Sequence, residues 1–211
     1  MQVSDLSYNS QATYQKAAEA YLKKLKNRNK VTLDEAKVAD SLKKKFPEIT
    51  TASLHLSPIS QRPTVKLDIA APTFFVTSNT STYIVDAMGR TVALKQELPK
   101  ISGLTVIDDQ SGFELKKDQK AMSKSAVDFI KAVVNQSKKA GAPIKSLTLP
   151  PRPHELNLRT TDKPYFIKFN LAGDARSQIG QFLAAREHFT AANINPELYL
   201  DVRVSGKIFY R

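Results

Sequence analysis

The chain has 211 residues, with 32 Lys and Arg against 20 Asp and Glu, for a formal net charge of +12. An apolar fraction of 41% suffices for one domain or two small ones, and seven Gly with eleven Pro exclude a collagen-like or low-complexity chain. The absence of Cys excludes disulfides, cysteine-ligated zinc, iron–sulfur clusters and thiol nucleophiles. No run of about 18 apolar residues reads as a membrane span, and Met1-Gln-Val-Ser-Asp lacks the basic start and apolar stretch of a signal peptide.

Residues 3–8 read as a short strand. Over residues 11–25, Tyr14, Ala17, Ala18, Tyr21, Leu22 and Leu25 recur at helical spacing. A loop over 27–30 ends that helix. Thr32-Leu-Asp-Glu35 fits a capping box opening a second helix, with Leu33, Ala36, Val38, Ala39, Leu42 and Phe46 on it, and Pro47 stops it. Strands follow at 51–57 and 64–70, whose alternation puts Ala52, Leu54 and Leu56, then Val65, Leu67 and Ile69, on one face each. The order strand, helix, helix, strand, strand makes a small α+β unit over residues 1–77.

Residues 78–211 read as a second, mostly antiparallel sheet with two helices. A short strand at 74–77 leads up to this part, and strands at 82–86 and 90–94 open it, with Ala87-Met-Gly89 as a hairpin turn; 98–103 is loop. A helix over 119–140 carries Met122, Ala126, Phe129, Ile130, Val133 and Val134, with Gly141 just past its end. Strands at 144–149, 155–160 and 165–171, a helix over 174–192 and a closing hairpin of 198–204 with 207–211 complete the chain. No internal repeat is evident.

Little in the sequence points to catalysis. His55, His154 and His188 are scattered without metal-ligand spacing, and Asp108-Asp109 reads as a solvated loop pair. There is no Gly-rich phosphate loop, Gly-x-Ser-x-Gly elbow or Ser-x-x-Lys. The expectation is a non-enzyme with no cofactor, metal or small-molecule substrate. The positive charge attracts polyanions: nucleic acid, an anionic membrane surface or acidic envelope polymers. It equally describes solvated helix faces and helix ends, where Lys is favoured. Trp is absent and no aromatic platform interleaved with Lys or Arg is visible, so nucleic acid is not the expected partner.

The most informative segment is Leu200-Asp-Val-Arg-Val-Ser-Gly-Lys-Ile-Phe-Tyr-Arg211. Read as a hairpin with Ser205-Gly206 as a two-residue turn, it pairs Val204 with Lys207, Val202 with Phe209 and Asp201 with Tyr210. Alternation then puts Leu200, Val202, Val204 and Phe209 toward the helices, and Tyr199, Arg203, Ile208 and Tyr210 on the other face. The last strand forms a sheet edge onto which another chain can add. Lys207 and Arg211 discourage self-pairing, and an acidic partner can meet Arg203. The competing reading has Ile208 and Tyr210 covered by the chain's own loops.

Four segments carry a resemblance. Phe46-Pro-Glu-Ile-Thr-Thr-Ala-Ser-Leu with Pro63-Thr-Val-Lys-Leu-Asp-Ile is similar to the end of a POTRA domain. Tyr83-Ile-Val-Asp-Ala-Met-Gly-Arg90, Leu98-Pro-Lys-Ile-Ser-Gly103 and the closing hairpin are similar, in this order, to the second domain of the bacterial cell-division family FtsQ/DivIB. Ala70-Ala-Pro-Thr73 departs from the family by keeping only the Pro of its junction. The resemblance implies a POTRA domain (β-α-α-β-β) followed by a β domain, in a single-pass cell-membrane protein whose bulk lies outside the cytoplasm at the division site. The transmembrane helix would precede Val3. It also implies a scaffold that binds FtsB-like and FtsL-like proteins and helps regulate septal peptidoglycan synthesis. The expected partner-binding residues are Tyr199, Arg203, Val204, Lys207, Ile208, Phe209 and Tyr210. Lys23, Lys24, Lys26, Arg28 and Lys30 are the expected contacts to anionic headgroups. The runner-up is a POTRA-type assembly module for exported polypeptides, accepting strands at 64–70.

Overall fold

The computed structural model describes residues 8–23, 34–46, 48–56, 63–79 and 81–211. Among them the chain is α+β, with four helices and two sheets, one of them mixed. It divides into two units: the first reaches to Pro72 and takes in Leu98–Ile101, and the second comprises Thr73–Glu97 and Ser102–Arg211.

In the first unit, α1 (Gln11–Leu22) begins where the Ser10 hydroxyl accepts from the Thr13 amide, and α2 (Glu35–Lys45) where the Asp34 carboxylate accepts from Lys37. Asp34 therefore caps α2 in place of the expected Thr32. Its charge suits the helix N-terminus, as Lys43, Lys44 and Lys45 suit the C-terminus. Thr32 and the expected strand at 3–8, apart from Tyr8, lie outside the described residues. β1 (Ile49–Leu56) and β2 (Pro63–Ile69) form an antiparallel pair. Tyr14, Ala17 and Ala18 of α1, Val38 and Leu42 of α2, and Ile49, Leu54 and Leu67 of the strands bury one core. Ala36 of the expected apolar set is exposed.

Glu48 is the polar anchor of that core. It is buried, and its carboxylate accepts from the Tyr14 hydroxyl at 2.8 Å and the Asn9 amide at 2.9 Å, while its carbonyl accepts from the Ala70 amide. One residue so ties α1 to the end of β2. Burial, helped by the hydrogen bond to Glu48, pushes the Tyr14 hydroxyl's pKa well above its ordinary value.

The second unit is built on β3 (Pro72–Ser78), β4 (Ser81–Asp86), β5 (Thr91–Leu94), β6 (Thr105–Asp109), β7 (Ile144–Leu149), β8 (Glu155–Thr160), β9 (Phe166–Asn170), β10 (Tyr199–Asp201) and β11 (Phe209–Tyr210). Their order in the sheet is β11-β10-β9-β8-β7-β6-β3-β4-β5. The sheet is mixed, where a mostly antiparallel one was expected: β3 with β6, β6 with β7 and β9 with β10 are parallel. β6 accounts for much of this, because Asp108 and Asp109, expected in a loop, are its last residues and pair with Thr77 and Ser78.

Parallel neighbours need a crossover: the chain passes through β4 and β5 between β3 and β6, and helices supply the other two, α3 (Lys124–Lys139) joining β6 to β7 and α4 (Ala175–Ala191) joining β9 to β10. β7 and β9 are both antiparallel to β8, so both crossovers step the same way from strands of the same direction. Right-handed connections then put both helices on one face. There Val127, Ile130, Val133, Ile179, Phe182 and Phe189 meet the inward residues of the sheet.

α3 starts at Lys124, capped by Ser123, and not at 119 as expected. The preceding residues cover the β5 end of the sheet instead: Thr91 donates to the Gln119 carbonyl, Asp118 donates to that of Thr91, and Ala121 and Met122 donate to that of Gly89. Gly89 has φ of +81°, and an added Cβ would lie 2.2 Å from the Met122 carbonyl oxygen, so no other residue fits this approach.

Tyr14→Phe leaves the buried Glu48 carboxylate, among the described residues, with the Asn9 amide as its side-chain donor. The expected cost is about 1–3 kcal/mol by urea unfolding; a loss within error would show that Glu48 does not depend on the hydroxyl.

Candidate functional site

The C-terminal end of the sheet is assembled from α4, β9, β10 and the two-residue β11. Leu200 and Val202 are fully buried against the helices and carry β10 alongside β9. The Val202 amide still donates to the Lys168 carbonyl at 3.2 Å, so the chain follows β9 past the end of β10. The expected turn forms: the Lys207 amide donates to the Val204 carbonyl, with Gly206 at φ of +72°. The pairing beyond it does not follow the expected register. Leu200 lies opposite Tyr210 and Asp201 opposite Phe209, one residue away from the expected pairing of Asp201 with Tyr210.

The extra residue lies between Asp201 and Val204, where Arg203 folds back. Its backbone amide donates to Asp201 Oδ1 at 3.1 Å, closing a side-chain turn. Its guanidinium donates to Asp201 Oδ1 at 2.9 Å, to Asp201 Oδ2 at 2.6 Å and to Glu155 Oε2 at 2.6 Å. The Gln181 amide of α4 holds the other side of the turn by donating to the carbonyls of Val204 and Lys207.

A one-residue slip exchanges the faces of a strand. Tyr210, expected away from the helices, packs its ring against Phe189 of α4 with centroids 4.9 Å apart. Ile208, expected on the same outer face, is partly buried against the main core. Phe209, expected inward, is 50% exposed opposite Asp201. Val204, also expected inward, is exposed at the turn.

Backbone alternation defines the edge. Tyr199 and Arg211 exchange both amide–carbonyl bonds, at 3.2 and 3.1 Å. Tyr210 therefore lies in a non-hydrogen-bonded position opposite Leu200, and its own amide and carbonyl point away from β10. Beside this edge runs a groove of about 340 Å³ between α4 and β11, lined by Ala184, Ala185, His188, Phe189, Ile208 and Tyr210. The edge thus offers both backbone partners and an apolar hollow for a side chain of an added strand.

The remaining expected residues are placed differently. Tyr199 is half-buried on the helix-free face, its ring 6.2 Å from that of Phe166 and 3.9 Å from the Lys168 ammonium. Lys207 is exposed. Arg203 is occupied by two carboxylates of its own chain and serves the hairpin, where an acidic partner had been expected. Lys23 is exposed at the end of α1; Lys24, Lys26, Arg28 and Lys30 lie outside the described residues.

Sequence reading missed the helix side of the groove. Gln181, Ala184, Ala185 and His188 recur at helical spacing along the flank of α4, and the two small residues leave room for a groove. That run, next to the apolar ends of the hairpin, was the available signal.

Electrostatics reinforce the Arg203 clamp. Burial alone would raise the pKa of Asp201, but the hydrogen bonds and charge of Arg203 more than offset it and hold that carboxyl below its ordinary value. The bond to Asp201 raises the guanidinium further. Hydrogen bonds from Arg186 likewise keep Asp162 low.

No group of metal-binding side chains occurs among the described residues, and no helix among them is long and apolar enough to cross a membrane. No protein-family model and no curated protein matches the chain.

A carboxylate held low in the folded state stabilises above its unfolded pKa of about 3.9, and that contribution is lost as pH falls through the folded value. Thermal melts should therefore show stability dropping below about pH 4. Asp201→Asn should flatten part of that drop, with Asp162 accounting for another part. Arg203→Ala should cost on the order of 2–3 kcal/mol at pH 7, below the range for a fully buried pair because its side chain is 31% exposed. A pH profile unchanged by Asp201→Asn would remove the clamp from the stability of this edge.

Proposed function

We propose that this chain is the extracytoplasmic part of an FtsQ/DivIB-like protein, a non-enzymatic scaffold of the bacterial division machinery. It binds FtsB-like and FtsL-like proteins by accepting a strand at β11 and so helps regulate septal peptidoglycan synthesis. In this reading the first unit is the POTRA domain, the second the partner-binding β domain, and the whole is anchored in the cell membrane by a helix preceding it.

The observation that carries the proposal is the outward amide and carbonyl of Tyr210 beside the groove under Ile208 and Tyr210. Strand addition takes affinity from such main-chain groups and specificity from pockets for alternate side chains. The quoted segments also acquire physical roles. The Asp-x-Arg of the closing motif sets the register of the edge. The Asp86 carboxylate accepts from the amides of Met88 and Arg90 and so shapes the Ala87-Met-Gly89 turn. Glu48, after Pro47, anchors the first unit's core.

The test is calorimetric titration of the folded chain with the extracytoplasmic segment of an FtsB-like protein from the same genome, beside an Ile208→Glu, Tyr210→Glu double variant. Saturable binding that weakens at least about tenfold in the variant is expected. Undiminished binding in a folded variant would move the site. Failure to bind that segment while unrelated unfolded peptides bind would replace this reading with the assembly-module one.

A further inference from the structure

Lys145 lies where two hollows of the second unit meet, at the end of the sheet where β7 begins. The larger, of about 620 Å³, is walled by Val106 of β6, Val134 of α3 and the Ala142-Pro-Ile144 approach to β7, with Lys138 and Lys145 on its rim. The smaller, of about 330 Å³, is polar and is formed by Lys145 with Arg159, Thr161 and Lys163 among others.

The backbone is irregular at this spot on both sides of β7. Its parallel register with β6 begins only at Ile107 and Leu147, so the earlier residues of the two strands run without that ladder and the sheet is split beside the larger hollow. Its register with β8 shifts between Ile144 and Ser146, leaving Lys145 as the extra residue of a bulge. Bulges re-aim side chains and concentrate near functional sites. Val106, on an interior strand of the sheet, is 51% exposed.

The charge here is not neutralised. Among the described residues neither Lys138 nor Lys145 has an ion pair. Lys163 donates to the Thr190 hydroxyl and Arg159 to the Pro164 carbonyl, both uncharged acceptors. Asp162, the carboxylate lining the polar hollow, is taken by Arg186 from α4.

We infer that the two hollows form one binding site for an anionic amphiphile: its apolar chain lies in the larger, and its phosphate or carboxylate head sits at Lys145 with Arg159 and Lys163. The larger hollow is within the size of small-ligand sites, roughly 300–1,000 Å³, which are mostly apolar with a few converging polar groups. Lys145 and Lys163, without ion pairs among the described residues, complement an anionic head, with the Arg159 guanidinium beside them.

Dodecyl phosphate below its micelle concentration is the probe, added to the full chain and followed by calorimetry and amide NMR. Saturable one-to-one binding is expected, with shifts at Val106, Ile144 and Lys145. It should weaken about tenfold or more in Lys138→Glu, Lys145→Glu and also in Val106→Glu. All three positions are exposed or on the rim, so the fold survives the changes. The Ile208→Glu, Tyr210→Glu variant should bind within about twofold of the parent, which separates this site from the C-terminal edge. Displacement of the probe by phosphatidylglycerol vesicles would name a bilayer lipid as the source of the ligand, and its persistence would name a free amphiphile. Equal binding of dodecyl maltoside, indifference to the lysine changes, shifts confined to the α4–β11 groove, or a response only to an acidic peptide would overturn the inference.

Discussion

Arg203 determines where the sheet ends. β11 is two residues long and cannot hold its own position through ladder bonds alone. What holds it is a cation that reaches from the turn to Asp201 on β10 and to Glu155 on β8, across the intervening β9. Both carboxylates are largely buried, so removing their partner leaves charge without compensation. The side chain folds where the backbone spends one more residue than a tight hairpin would. The register of β11, the faces of Ile208, Phe209 and Tyr210, and the groove against α4 all follow from that single residue.

The two crossovers impose the second constraint. Because α3 and α4 cover the same face, the other face of the second unit's sheet carries neither of them. β8, β9 and β10 occupy it with a ladder of cations and rings: Arg159 lies over Phe166 at 5.1 Å, and Lys168 over both Phe166 and Tyr199. Such pairs let aromatic faces stand near water, each contributing about 0.5–1 kcal/mol at exposed sites. Part of the excess positive charge is thus used within the sheet. Lys145 and Lys138 are among the described cations that have no carboxylate partner.

The helices were legible because each buries a stripe at a 3.6-residue period, and the strands at 144–149, 155–160 and 165–171 because apolar and polar residues alternate. β6 was not, because its apolar signal is only Val106 and Ile107 and two carboxylates follow. Its carboxylates are accommodated at the strand end, where Asp109 accepts from the Ser111 amide and Asp108 from Gln110. Missing β6 hid the first parallel crossover, and with it the mixed character of the sheet. The Ser205-Gly206 turn was legible from its residue types. The register was not: the local Arg203–Asp201 turn adds a residue that the two-residue turn does not announce, and the other partner of Arg203, Glu155, lies far off in sequence.

The same register decides what the edge can accept. With Tyr210 the one residue of β11 whose amide and carbonyl both point outward past the last pairing, a second copy of this edge would gain few main-chain bonds by lying against it. Lys207 and Arg211 flank Tyr210, so two such edges would also bring like charges together. A different chain avoids both penalties if it extends its own bonds beyond β11, carries acidic residues opposite the flanking cations and turns an apolar side chain toward Ala184 and His188. Edge length and charge therefore act against self-association; under the proposed strand addition, Tyr210 would meet a heterologous strand and the groove under α4 would give the specificity that so short a ladder lacks.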